Sequence, residues 1–126
     1  MAGRSSEESK LRQARKKAGK LGLNQTGFTL IVCMDRKTAK CCSSRAMNQI
    51  WKHLKDRCKR WRKDGGRPIL RIKSDCIGVC KAGPIIGVLP DGVWYGGCTE
   101  AVIDRIFDEH LKRGNLVSDQ LIAGDR

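Results

Sequence analysis

The sequence predicts a small α/β sandwich of order β-α-β-β-β-α, with its helices packed on a mixed sheet. Three observations carry that expectation. Two short β-branched runs, Phe28–Cys33 and Pro68–Ile72, flank one long stretch of helical apolar spacing. Pro90-Asp91-Gly92 separates two further short apolar runs as a hairpin turn would. A last stretch with helical spacing is closed by Gly114. At 126 residues the chain suits one small domain with an extension.

Residues 1–25 are basic, polar and poor in large apolar side chains. With almost no apolar stripe, this N-terminal extension is expected to be disordered, or only transiently helical until bound. The folded domain is expected over 26–123. It opens with Phe28-Thr-Leu-Ile-Val-Cys33, a buried first strand, followed by a loop from Met34 to Lys40. Ser43 and Ser44 are suitable N-caps for the next element. Met47, Ile50, Trp51, Leu54, Cys58 and Trp61 then form one apolar stripe, with lysines and arginines filling much of the remaining helix surface. The helix should end near Asp64-Gly65-Gly66.

Pro68–Ile72 is the second strand, and a strand, a long helix and a strand make a parallel βαβ unit. Ile85–Leu89 and Val93–Tyr95 form the hairpin around Pro90-Asp91-Gly92. Thr99 can cap the last helix, Glu100 adds favourable charge to its first turn, and Val102, Ile103, Ile106, Phe107, His110 and Leu111 line one side.

Composition narrows the function. No run approaches the roughly 18 apolar residues of a membrane span, and the start of the chain has no apolar region of a secretory signal. Seven cysteines, an odd number, do not suggest a disulfide framework; a reducing cytosol with metal-bound thiolates is expected. The formal charge of +13 divides into +5 for residues 1–20, +9 for 21–63 and −1 for 64–126. That imbalance favours acidic partners, whether an acidic protein surface, nucleic acid or anionic lipid; a merely solubilising surface is the plain alternative. No Gly-rich phosphate loop and no convincing acid–base set is present, so an enzyme is not expected.

Cys33, Cys41 or its neighbour Cys42, Cys76 and Cys80 form two separated pairs, each where a strand gives way to a loop. That is the layout of a metal or iron–sulfur site. The spacing is C-x7-C (C-x8-C with Cys42), then 34 residues, then C-x3-C. Structural zinc sites more often use C-x2-C or C-x4-C knuckles, and a thioredoxin-type dithiol needs C-x-x-C, which the chain lacks. A binuclear iron–sulfur cluster normally takes four thiolates. Gly78, inside the second pair, would let backbone N–H groups approach cluster sulfurs.

The cysteine pairs, with Cys-Ile-Gly-Val-Cys-Lys-Ala-Gly-Pro, Pro-Asp-Gly-Val-Trp-Tyr-Gly and Glu-His-Leu-Lys-Arg-Gly, occur in one order across residues 28–123. In this the chain resembles the thioredoxin-like 2Fe-2S ferredoxins. The resemblance implies a thioredoxin-like fold, a single 2Fe-2S cluster near the surface, one-electron transfer and often a homodimer. It implies Cys33, Cys41, Cys76 and Cys80 as ligands, Cys41 being favoured over Cys42 by counting back from Trp51 and Leu54. Lys40, Lys73 and Lys81 would then stabilise the reduced form, and the basic helix would steer a redox partner with an acidic docking surface. The competing class is a zinc-binding or cluster-based regulatory module whose basic half contacts an acidic partner or nucleic acid. The folded part shows no nucleic-acid motif, so nucleic acid is not the expected partner.

The remaining chemically capable residues have plainer readings. Cys58 and Cys98 read as small packed residues, the alternative for Cys98 being a substitute ligand. His53 lies on a helix away from the cysteine loops, and His110 reads as a helix-end residue facing the dipole. Trp94 and Tyr95 read as sheet packing rather than an electron conduit. Pro84 precedes the third strand, where a cis and a trans bond are equally expected.

Overall fold

The structure is a computed structural model that describes residues 2–23, 27–33, 44–74 and 83–124. Its elements are α1 (Ala2–Leu21), β1 (Phe28–Cys33), α2 (Ser44–Lys63), β2 (Ile69–Ser74), β3 (Ile86–Leu89) and β4 (Val93–Tyr95). There follow α3 (Glu100–Arg105), continued by a π-helical segment over Ile106–Leu111, a 3-10 turn at Ser118–Gln120, and β5 (Leu121–Ala123). The expected β-α-β-β-β-α order is present, with a helix added before it and a strand after it.

The five strands lie in the order β2-β1-β3-β4-β5. β1 and β2 are parallel, in register from Phe28 opposite Ile69 to Cys33 opposite Ser74. The other pairings, β1 with β3, β3 with β4 and β4 with β5, are antiparallel. The mixed sheet follows from connection length: a long helix can return the chain parallel, whereas the Pro90-Asp91-Gly92 turn can only reverse it. In that turn the Gly92 N–H donates to the Val88 carbonyl at 2.8 Å.

Strand alternation sends Leu30 and Val32, Ile86 and Val88, and Val93 and Tyr95 into one core with Met47, Ile50 and Leu54 of α2 and Val102, Ile103, Ile106 and Phe107 of α3. Each such side chain, fully buried, is worth about 1.5–3 kcal/mol at the upper bound. On the opposite face Trp94 lies against Gly87. A Cβ there would sit 2.5 Å from the indole, so the close approach requires glycine.

α2 and α3 are also clamped by charge. His53 Nε2 lies 2.9 Å from Asp104, and Arg57 reaches Asp104 at 3.1 Å and Asp108 at 2.9 Å while its guanidinium stands 5.0 Å from the Phe107 centroid. Thr99 caps α3 as expected, accepting from the Val102 N–H. Gly114, at φ +77°, ends the helix through bonds from Gly114 N–H to the His110 carbonyl and from Asn115 N–H to that of Glu109.

Three features differ from expectation. Residues 2–21, expected to lack stable order, are helical in the structure; Ala, Lys, Arg, Glu and Gln are strong helix formers, which suffices for the local geometry without a packed face. β5 is absent from the sequence reading because three residues carry no alternation; it is placed by pairing with β4. His110, expected to interact with the helix dipole, is buried at 3% exposure and held by side chains instead. The Tyr95 hydroxyl accepts from the Val117 N–H at 3.2 Å and lies 2.8 Å from His110 Nδ1. The Asp91 carboxylate, 2.6 Å from Nε2, can only accept, so Nε2 carries a proton, and in the neutral imidazole Nδ1 then accepts from the Tyr95 hydroxyl.

That chain ties the hairpin turn to α3 and to the loop after it. Tyr95→Phe, which strands a buried N–H and a ring nitrogen, should lower stability by about 1–3 kcal/mol in urea unfolding. At the surface, Arg105 holds Asp119 through bonds of 2.6 and 2.9 Å and pulls its carboxyl from 3.8 down to about 2. A depressed carboxyl contributes stability above its unfolded value and loses it as pH falls through the folded one. The deficit of an Arg105→Ala variant should therefore be constant above about pH 5 and vanish near pH 2, as followed by thermal melts.

Candidate metal centre

β1 and β2 are parallel and in register, so they finish side by side: Cys33 is the last residue of β1 and Ser74, its partner, the last of β2. Cys33 is buried, its N–H donating to the Ile85 carbonyl at 3.0 Å, and it lies outside the helix-side core cluster. In sequence, Cys76 follows Ser74 by two residues and Cys80 by six, while Cys41 precedes the start of α2 by three. The residues expected as ligands other than Cys33, namely Cys41 with its alternative Cys42, Cys76 and Cys80, lie outside the described residues. So do the Met34–Lys40 loop, Ser43, Gly78, Lys40 and Lys81. Among the described residues no three His, Cys, Asp or Glu side chains converge as a metal site.

The other cysteines are committed elsewhere. Cys98 is fully buried beneath α3; its thiol donates to the Tyr95 carbonyl at 3.4 Å, and burial pushes it up to about 12. Cys58 is pushed up to about 11 by burial, partly offset by the Arg71 guanidinium. Both thiols stay protonated near neutral pH, whereas metal ligation needs the thiolate. His53 and His110 are held by Asp104 and by Tyr95 and Asp91, which leaves neither pointed at the strand ends. Pro84 follows a cis peptide bond, and its carbonyl accepts from the Cys98 N–H at 3.0 Å. Tyr95 is core and Trp94 covers Gly87, the packing roles expected for them.

One arrangement near the strand ends escaped the sequence reading. Arg71 and Lys73 both stand over the ring of Trp51, at 4.3 and 4.7 Å from its centroid. The period of two along β2 carries the signal, since Ile69, Arg71 and Lys73 must share a face, but which helix residue they meet depends on the tertiary packing. Lys73, one residue from the end of β2, brings a positive charge to the end of the sheet that carries Cys33.

Comparison with known proteins gives a consistent likeness. No protein-family model matches the chain. It is 34% identical over 55 residues to a 2Fe-2S ferredoxin of Clostridium pasteurianum, covering 44% of this chain and 54% of that one. It is 42% identical over 50 residues to a 2Fe-2S ferredoxin of Aquifex aeolicus (strain VF5), covering 40% and 45%. The matched stretches thus span about half the length of these curated relatives. Among solved structures, a thioredoxin-like [2Fe-2S] ferredoxin from Aquifex aeolicus superimposes with a TM-score of 0.66 at 22% identity, covering 80% of this chain and 94% of that one. A second structure, of the wild type, gives 0.63 at 23%, covering 78% and 98%. The fold is therefore thioredoxin-like, as expected, and the sequence similarity is to 2Fe-2S ferredoxins.

The assignment of Cys58 and Cys98 to packing has a direct check. With iodoacetamide near pH 8, both should alkylate at least about tenfold more slowly in the folded protein than in urea, as quantified by peptide mass spectrometry.

Proposed function

We propose that this chain is a one-electron carrier holding a single 2Fe-2S cluster through Cys33, Cys41, Cys76 and Cys80, with 26–123 as the cluster domain and 1–25 as a basic extension. The observation that carries the reading is the parallel pairing of β1 and β2. It seats Cys33 beside Ser74, and Cys76, two residues further in sequence, is within a reach of no more than about 7 Å from Ser74. The donor set fits the group: thiolates are the usual ligands of such clusters, and the Cys33 side chain is shielded from water. The thioredoxin-like fold and the likeness to 2Fe-2S ferredoxins support the same reading.

When bound, the cluster would accept and release one electron. The chain's own residues set the conditions for that exchange. Burial of Cys33 removes water from one ligand, and Lys73, held over Trp51 at the neighbouring strand, favours the more negative, reduced state. Arg45, Lys52, Lys55, Lys59, Arg60, Arg62 and Lys63 on α2 give the approach to the domain a positive field that attracts an acidic redox partner. A reducing cytosol suits a chain of seven cysteines with no disulfide among the described residues.

Anaerobic purification followed by visible absorbance, electron paramagnetic resonance and metal counting tests the reading. The protein should be brown, contain two irons and two acid-labile sulfides per chain, and give a paramagnetic signal only after one-electron reduction. Cys33→Ser, Cys76→Ser and Cys80→Ser should each lose or shift the spectrum. Of Cys41→Ser and Cys42→Ser, only the first should do so. A colourless, iron-free anaerobic preparation would overturn the proposal.

A further inference from the structure

The end of α1, the middle of α2 and the start of β2 enclose a groove of about 190 Å³. Lys55, Lys59 and Arg62, at spacing i, i+4 and i+7, form one wall along α2, and Arg71 of β2 faces them. The remaining lining is Leu21, Cys58, Pro68 and Ile69, and Leu21 is 65% exposed. The lining residues include four cations and no carboxylate. One terminal nitrogen of Arg71, Nη1, is buried and has no hydrogen-bond partner among the described residues.

We propose that this groove is the docking site for an acidic segment of a partner protein, a leucine or similar side chain seated against Leu21, Pro68 and Ile69 and flanking carboxylates paired with Lys55, Lys59, Arg62 and Arg71. Charge complementarity selects the acidic character: Lys55 and Lys59, about 6 Å apart along α2, and Lys59 and Arg62, about 4.5 Å apart, are each spaced within a screening length of about 8 Å, and Arg71 lines the same groove. The apolar floor selects a peptide over a nucleic acid. Single strands bind sequence-tolerantly by stacking bases on free aromatic faces, and the neighbouring aromatic, Trp51, is covered by Arg71 and Lys73. The partner's identity as the electron donor or acceptor rests on the proposed function; the recognition itself does not. From Ile69, in the groove, β2 runs to Ser74 beside Cys33, a distance of about 17 Å along the strand.

The test uses the full-length, anaerobically purified protein and a fluorescein-labelled 14-residue peptide of Glu and Asp around a central Leu pair, followed by fluorescence anisotropy. Lys55→Glu combined with Lys59→Glu should weaken binding at least about tenfold, and Leu21→Ser about threefold. Lys112→Glu combined with Arg113→Glu, the same charge change just after the π-helical segment that continues α3, should change it less than about twofold. Circular dichroism confirms that each variant is folded. Equal losses from the two charge-reversed pairs would overturn the proposal, as would tighter binding of a labelled 14-mer of thymidylate or of phosphatidylglycerol vesicles. Absorbance and iron content of the same samples report the cluster separately. A colourless protein that binds the peptide sinks the electron carrier and keeps the groove; a brown one that does not bind it sinks the groove alone.

Discussion

β1 and β2 are joined by a helix of twenty residues, long enough to return the chain in the same direction, and because they pair parallel and in register their C-terminal ends lie together. That one topological constraint organises this molecule. It brings the residues after β1 and the residues after β2, far apart in sequence, to one end of one sheet. It also obliges α2 to lie across the sheet, where Met47, Ile50 and Leu54 close the core beneath it. Everything antiparallel, from β3 onward, is built against the flank that this unit leaves.

The second half of the chain does a different job. The hairpin and α3 are joined by a buried polar chain, Asp91 to His110 to Tyr95 to the Val117 amide, in which each hydrogen has one acceptor. Such a chain fixes relative position more sharply than apolar contact does, because a misplaced element leaves polar atoms unpaired. Cys98 and the carbonyls of Pro84 and Tyr95 continue the packing toward the end of the sheet where Cys33 lies. The hairpin side is thus rigid scaffold, and its titratable groups are absorbed in holding it.

Much of this was legible in the residues. Phe28–Cys33 and the stripe from Met47 to Trp61 carry unambiguous periods, and Thr99 and Gly114 mark the limits of the last helix by chemistry that acts locally. His110 shows where legibility stops. The spacing of Val102, Ile103, Ile106 and Phe107 does place it on the inward face, but its partners come from a hairpin that no local pattern links to it. β5 fails for the same reason, being specified by the edge of β4 and not by its own three side chains. Of the cysteine set, the positions after each strand were readable from composition. That their ends adjoin follows from the parallel pairing, which the long helix between them already predicts, and from the exact register, which only the structure gives.

β2 is also one of the two outer strands of the sheet. An outer strand offers unpaired amides and carbonyls to any extended chain that meets it, which makes it a template for fibrous aggregation. Here it carries Arg71 and Lys73, both over the ring of Trp51 and two of the three residues on that face of the strand. An incoming strand would have to lie beside two fixed positive charges. The pair that brings electrostatic character to the sheet also disfavours strand addition at this edge, so a change to apolar residues there would remove a charge that guards it.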